Sequence, residues 1–254
     1  MKQVEKDKLT PIEKALSIME LMSDHPNELK VAEISNLTEI NRSTVHRILQ
    51  ELLAKEWVIQ DYKSKKFMIG PMAFHVGMAY RINNNVEFKI LEILDDISEK
   101  LKESVGYAVR EGDKVISLYE TEVHQPYKMN YHPGQFYPMN RGGYGKCLMA
   151  YYDPDRVKKL LSEQKFEKIA PNTLTEPEEI EREYVKIRKQ GYVISDEEVA
   201  HLVIGAGVPV FNKKGEVKGC LAAAFLKGPD SENKINEFLK LFKHGAEEIA
   251  KYLP

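Results

Sequence analysis

Residues 41–50 read NRSTVHRILQ. From Val45 onward, apolar residues recur at Ile48, Leu49, Leu52 and Leu53, the spacing of one helix stripe. Burying that stripe leaves Arg42, Ser43, Thr44, His46, Arg47 and Gln50 on the opposite face. These side chains can read a DNA major groove. Arginine offers a two-pronged donor to guanine, glutamine pairs with adenine, and serine or threonine bonds a phosphate or a base. The plainer reading is a well-capped helix with a charged solvent face.

The flanking sequence separates the two. Upstream, Ile12, Ala15, Leu16, Met19 and Met22 predict a helix, with Pro11 in its first turn where a missing N–H costs nothing. SDHPNE (23–28) stops it. Val31, Ile34 and Leu37 mark a short second helix, and TEIN (38–41) is a brief polar break. Downstream, WVIQ (57–60) and KFMIG (66–70) are short strand-like runs joined by DYKSK. Helix, helix, turn, helix, hairpin is the order of a winged helix-turn-helix. Its wing would bring Lys63, Lys65 and Lys66 to backbone phosphates beside the groove. Residues 1–70 hold eleven basic and eleven acidic residues, so net charge does not argue for DNA. Placement does: the acids crowd the first two helices, while the third helix and the wing are basic.

Residues 71–81 predict a connecting helix that breaks near INNN (82–85), and a fresh helix carries Phe88, Leu91, Leu94, Ile97 and Leu101. Beyond lies a mixed pattern. VGYAVR (105–110), KVISLYE (114–120), YKMNY (127–131), FYPM (136–139), YVIS (192–195), VPVF (208–211) and GCLAAAFL (219–226) read as strands. EGD (111–113), HPGQ (132–135) and 212–215 supply turns. Helices are expected over about 142–151, 154–163 and 232–252. Another should start at TEPEE, where Thr175 and Glu178 have capping-box spacing, and stop at Gly191. The expected fold class is α+β, with a mostly antiparallel sheet in the second part. The expected domains are 11–70, a linker at 71–85, and 86–254.

The totals narrow the function. The chain has 254 residues, 43% hydrophobic and 30% charged, and a net charge of −2, so a nucleic-acid surface must be a local patch. No apolar run approaches the ~20 residues of a membrane span, and MKQVEKDKLT has no signal-peptide core. A cytoplasmic protein is expected, with no membrane partner. Cys147 and Cys220 lack metal-ligand spacing and read as reduced thiols; Cys147, beside Lys146 at a helix start, is a candidate redox thiol, and Cys220 reads as core. The seven histidines are scattered, and no acid–base pair, activated nucleophile or metal cluster is visible. No catalytic residue, metal or cofactor is expected. GGYGK (142–146) has the wrong spacing for a phosphate loop and no hydroxyl residue after the lysine. It reads as a tight strand-to-helix turn whose free N–H groups can hold a carboxylate.

Several stretches in the right order resemble the IclR family of bacterial and archaeal transcription regulators. They are PIEKALSIMELM, EISNLTEINRSTVHRILQELLAKEWV and FMIGP in the first half, then RGGYGKCLMAY, PNTLTEPEEIEREYVKIRKQGYVISDEE and VPVFNKKGEVKGCLAAAFLKGP. The likeness runs from about residue 11 to the end. It implies a winged helix-turn-helix, a linker helix and a GAF-like effector-binding domain, assembled as homodimers or tetramers. It also implies an effector site at Gly143, Tyr144, Ser195, Gly205, Phe225 and Lys227. The chain departs from the family in five places, of which His201 has no assigned meaning. Tyr144 stands where a small residue is common, and would narrow the pocket or offer a hydroxyl. Leu202 stands where glycine is usual, and Phe225 and Lys227 where many members carry serine. A lysine near a helix N-terminus points to a small organic acid as effector.

The combined expectation is a ligand-responsive regulator that binds a palindromic or near-palindromic site on double-stranded DNA. Two rivals differ in kind. An enzyme with a helical dimerisation domain would turn over its ligand. A ligand- or redox-sensing module acting through protein partners would bind no DNA.

Overall fold

Two compact units make up the chain, Met1–Asn85 and Val86–Pro254. The computed structural model describes residues 9–25, 28–82, 87–121 and 132–253. The expected strand at 127–131, the first eight residues and most of the break at 82–85 lie outside them.

Helix α1 (Pro11–Asp24) starts with a reciprocal cap. Thr10 Oγ1 accepts from the Glu13 N–H at 3.2 Å, and the Glu13 carboxylate accepts from the Thr10 N–H at 2.7 Å. Helix α2 (Val31–Thr38) ends at Glu39, whose φ of +57° turns the chain sharply. Asn41 then caps α3 (Arg42–Ala54), its side chain accepting from the Ser43 N–H at 2.9 Å. Val45, Ile48 and Leu49 of α3 join Ile18, Met22, Ile34, Val58 and Phe67 in one apolar core. Strands β1 (Val58–Gln60) and β2 (Phe67–Ile69) pair antiparallel, with Val58 opposite Ile69. Leu29 and Phe67 exchange both backbone hydrogen bonds, at 2.9 and 2.8 Å, which ties this hairpin to the segment between α1 and α2. Helix α4 (Pro71–Ile82) follows.

The second unit begins with α5 (Glu87–Leu101), then β3 (Val105–Glu111), β4 (Lys114–Glu120) and β5 (Phe136–Tyr137). Helices α6 (Gly143–Ala150), α7 (Pro154–Glu163) and α8 (Pro177–Gln190) come next. Strands β6 (Val193–Asp196), β7 (Val203–Phe211) and β8 (Val217–Leu226), then α9 (Ser231–Ala250), close the chain. The six strands form one antiparallel sheet in the order β5-β4-β3-β8-β7-β6.

Both faces of the sheet are covered. Tyr107, Ile204, Val208, Leu221 and Phe225 pack toward α5 and α9 with Leu94, Ile97, Phe238 and Phe242. Ala108, Cys220 and Ala222 lie with α6, α7 and α8. That is why β8 reads as an unbroken apolar run rather than an alternation. Fully buried Phe238 and Phe242 each contribute roughly 1.5–3 kcal/mol. The α8 cap differs from expectation. Glu176 is the N-cap and Pro177 the first helical residue, while Thr175 Oγ1 donates to Glu176 Oε1 at 3.2 Å, so no Thr175–Glu178 box forms. Its fixed φ suits proline to that first position, which shifts the start by one residue. Among the described residues no helix is long and apolar enough to cross a membrane.

Candidate functional site

The exposed face of α3 is assembled by its own core. With Val45, Ile48 and Leu49 buried, Arg42, Ser43, His46, Arg47 and Gln50 are exposed and Thr44 is half-buried. Ser43 also serves the cap, its hydroxyl donating to Asn41 Oδ1 at 2.8 Å. Arg47 sits in a shallow cleft beside Pro11, Ile12 and Ala15 of α1. In the β1–β2 hairpin, Lys63 and Lys65 are exposed and Lys66 is half-buried. Asp61 shapes the turn by accepting from the Lys63 and Ser64 N–H groups at 3.1 and 2.6 Å. Lys65 lies over the Tyr62 ring at 4.6 Å. One unit therefore presents a basic helix face and a basic hairpin.

The second unit holds a cavity of about 240 Å³ on the α6 side of the sheet. Its floor is made of small residues. Gly106 of β3 is paired with Glu120 of β4 and Ala222 of β8, and Gly205 of β7 with Ser195 of β6 and Ala224 of β8. Glu120 and Ser195 thus rise at opposite sides of a shallow strip of glycine and alanine. A Cβ on Gly106 would come within 2.0 Å of Glu120 Oε2 and 2.1 Å of the Tyr144 hydroxyl, so that glycine makes room for the pair. Tyr144 donates to Glu120 Oε1 at 3.1 Å, and Tyr137 to the same oxygen at 3.4 Å. Burial pushes the Glu120 carboxyl up to about 8, against the lowering pull of the two tyrosines. Arg141 and Gly142 line the other wall. Burial lowers the Arg141 guanidinium from its ordinary value.

A buried ionic network holds the loop before α6. Lys146 is fully buried, and its Nζ donates to Glu198 Oε1 at 2.5 Å, Glu183 Oε1 at 3.1 Å and the Ile194 carbonyl at 3.0 Å. Glu198 Oε2 in turn accepts from the Gly142 N–H at 3.2 Å. One of the amides that the loop offers is therefore occupied from within the protein.

Gly143, Tyr144, Ser195 and Gly205 all line the cavity. Phe225 and Lys227 do not. Side chains alternate along β8, and Phe225 shares the parity of Leu221 and Ala223. It therefore packs against Phe238 on the opposite face, ring centroids 5.0 Å apart. Lys227 lies just past the strand and donates to Asp196 Oδ1 at 2.8 Å and Glu197 Oε2 at 2.9 Å. Glu197 also accepts from the Leu202 N–H and stands 2.6 Å from His201 Nδ1. The Leu202 N–H and then Lys227 hold its carboxyl well below the usual range. Sequence reading missed Glu120 and Arg141. The available signals were an acid closing an otherwise alternating strand, opposite a glycine, and an arginine leading into the glycine turn. Cys147 and Cys220 are both buried, and no cluster suited to a metal exists among the described residues.

A winged helix-turn-helix followed by a cavity-bearing α/β domain defines a helix-turn-helix transcriptional regulator. The models of two families match: the IclR helix-turn-helix domain over residues 11–61, and the bacterial transcriptional regulator IclR C-terminal domain over residues 78–251. The chain belongs to the IclR family of DNA-binding transcriptional regulators. The regulator BhcR of Paracoccus denitrificans is 28% identical over 205 residues, covering 81% of this chain and 73% of its own. An IclR regulator from Alicyclobacillus acidocaldarius has the same fold, with a TM-score of 0.80 at 23% identity over 96% of this chain and 99% of its own. So does an IclR homologue from Microbacterium hydrocarbonoxydans complexed with 4-hydroxybenzoate, with a TM-score of 0.79 at 18% identity over 95% and 98% of the two chains. The matching families and relatives are regulators, not enzymes.

Proposed function

We propose that residues 11–70 dock α3 in the major groove of double-stranded DNA while the cavity of residues 86–254 binds a small organic acid that shifts operator affinity. Residues 71–85 join the two. The observation that carries the first half is the division of α3. Three apolar residues are buried, and Arg42, His46, Arg47 and Gln50 are exposed. Arg42, Arg47 and Gln50 reach base edges, Ser43, Thr44 and His46 contact the backbone or a base, and Lys63, Lys65 and Lys66 contact phosphates. The size of the cavity supports the second half, as does the 4-hydroxybenzoate held by the related Microbacterium protein. The protein acts as a homodimer or tetramer in the cytoplasm, and two-fold symmetry makes the operator palindromic or nearly so.

Fluorescence anisotropy on the DNA upstream of the protein's own gene tests the assignment of α3. Each bidentate arginine is worth about 1–3 kcal/mol. The double substitution Arg42→Ala with Arg47→Ala should therefore cost roughly 30-fold or more in affinity, with the melting temperature unchanged. Wild-type affinity in that variant would remove α3 as the reading helix.

A further inference from the structure

The cavity contains two ionisable groups that do not pair with each other. Glu120 and Arg141 both line it. Neither forms an ion pair among the described residues: Glu120 has the two tyrosine hydroxyls, and Arg141 a long contact of 3.4 Å to Asn140 Oδ1. Burial moves both from their ordinary values in the direction of neutrality, and Arg141 is not among the groups that pull Glu120 down. The protein has paid for an acid and a base in a space of about 240 Å³, about eight water volumes at ~30 Å³ each. Gly205, Ala222 and Ala224 line the same space with small apolar surface.

We propose that Glu120 selects the effector: the cavity takes a small carboxylic acid that bears a hydroxyl or ammonium group at its far end, with the carboxylate on Arg141 and the donor on Glu120. This rests on reading the cavity as the effector site and adds the chemical class. A plain acid would press apolar atoms against Glu120 and strip its water without a replacement partner, which is costly. A dicarboxylate brings no donor, and it sets a second negative charge against Glu120 once that carboxyl ionises. A hydroxyl satisfies the carboxyl in either protonation state, and an ammonium satisfies the ionised form. Tyr144 and Tyr137 then orient the carboxyl, and Gly106 allows it to lie flat on the sheet. The carboxylate end would rest beside the first turn of α6, whose dipole favours it.

Isothermal titration of the full-length protein with two matched series tests this. One series is benzoate, 4-hydroxybenzoate, 4-(aminomethyl)benzoate and terephthalate. The other is butyrate, 4-hydroxybutyrate, 4-aminobutyrate and succinate. Leaving a buried polar group without a partner costs about 1–3 kcal/mol, so in at least one series a donor-bearing acid should bind about fivefold or more tighter than the plain acid. The dicarboxylate should lose affinity as pH rises through about 8, where Glu120 ionises. Glu120→Met, which removes the acceptor, should cut the preference for the donor to under about threefold, and Arg141→Ala should weaken every acid about tenfold. The hydroxyl and ammonium members report which donor is native. A plain acid binding as tightly as its donor-bearing counterparts overturns the proposal, whether or not the variants fold. So does a preference that survives Glu120→Met. Absence of binding by all eight acids overturns the organic-acid reading of the cavity itself, and this inference with it.

Discussion

Leu202 stands in the left-handed region at φ +58°, with its side chain half in solvent. A side chain with a Cβ pays roughly 1–2 kcal/mol there, and glycine pays almost nothing. The turn demands this conformation because the Leu202 N–H must reach Glu197 Oε1 at 2.9 Å while its carbonyl accepts from the Lys227 N–H at 2.8 Å. The glycine common at this place in the family is thus explained by backbone geometry, and this chain carries the strain. Leu202→Gly should raise stability by up to about 1 kcal/mol after the entropy lost to a freer unfolded chain. Leu202→Ala should give no gain, because it keeps the Cβ. Thermal melts of the two variants check this; a glycine variant less stable than the alanine one would contradict it. At the same scale lie Phe225 and Lys227, which the family resemblance puts at the effector site and the structure puts outside the cavity. Motif matching aligned Phe225 and Lys227 with the pocket, but the two-residue repeat of β8 turns Phe225 to the other face. Glu120 went unseen because it meets Tyr144 across 24 residues of chain, a proximity set by strand pairing and by α6.

At the scale of elements, helix α6 illustrates how close approach is written into a sequence. A Cβ on Gly145 would fall 1.8 Å from the Pro138 carbonyl oxygen, a backbone atom that cannot swing away. The neighbouring Met139 carbonyl is itself fixed by the Tyr184 hydroxyl at 2.6 Å. Gly145→Ala should therefore lift α6 from the sheet and cost about 1–3 kcal/mol, with loss of ligand affinity. Gly77 of α4 is the contrast. No described atom lies within 4 Å of its would-be Cβ, so Gly77→Ala should stabilise by about 0.5–1 kcal/mol. Equal melting temperatures for the two variants would sink this account of α6. Elements were the legible part of the sequence. The apolar periods of α1, α3, α5 and α9 and the turn at 212–215 are local signals, and local signals survive folding. The cap of α8 lies one residue later than Thr175 because Pro177 takes the first helical position, which leaves Glu176 as an N-cap without a side-chain cap hydrogen bond.

At the scale of the whole molecule, the first unit offers a basic helix face with no net charge behind it, and the second offers a cavity with an acid and an arginine in its walls. Nothing in the composition distinguishes this chain from any soluble protein. The function lies in placement. The proposed function requires that ligand and DNA each favour one arrangement of the recognition helices of an assembled oligomer, and the energy needed is small, about 1–3 kcal/mol. Such coupling is reciprocal: whatever factor the ligand imposes on DNA affinity, DNA must impose on ligand affinity.

The most direct test is therefore a linked pair of titrations. The affinity for DNA from upstream of the protein's own gene is measured without ligand and with a saturating amount of the tightest acid found above. The affinity for that acid is then measured with and without the DNA. The account predicts a change of about 5- to 150-fold in DNA affinity, in either direction, and the same factor in ligand affinity. An acid that fills the cavity and leaves DNA affinity unchanged would contradict it.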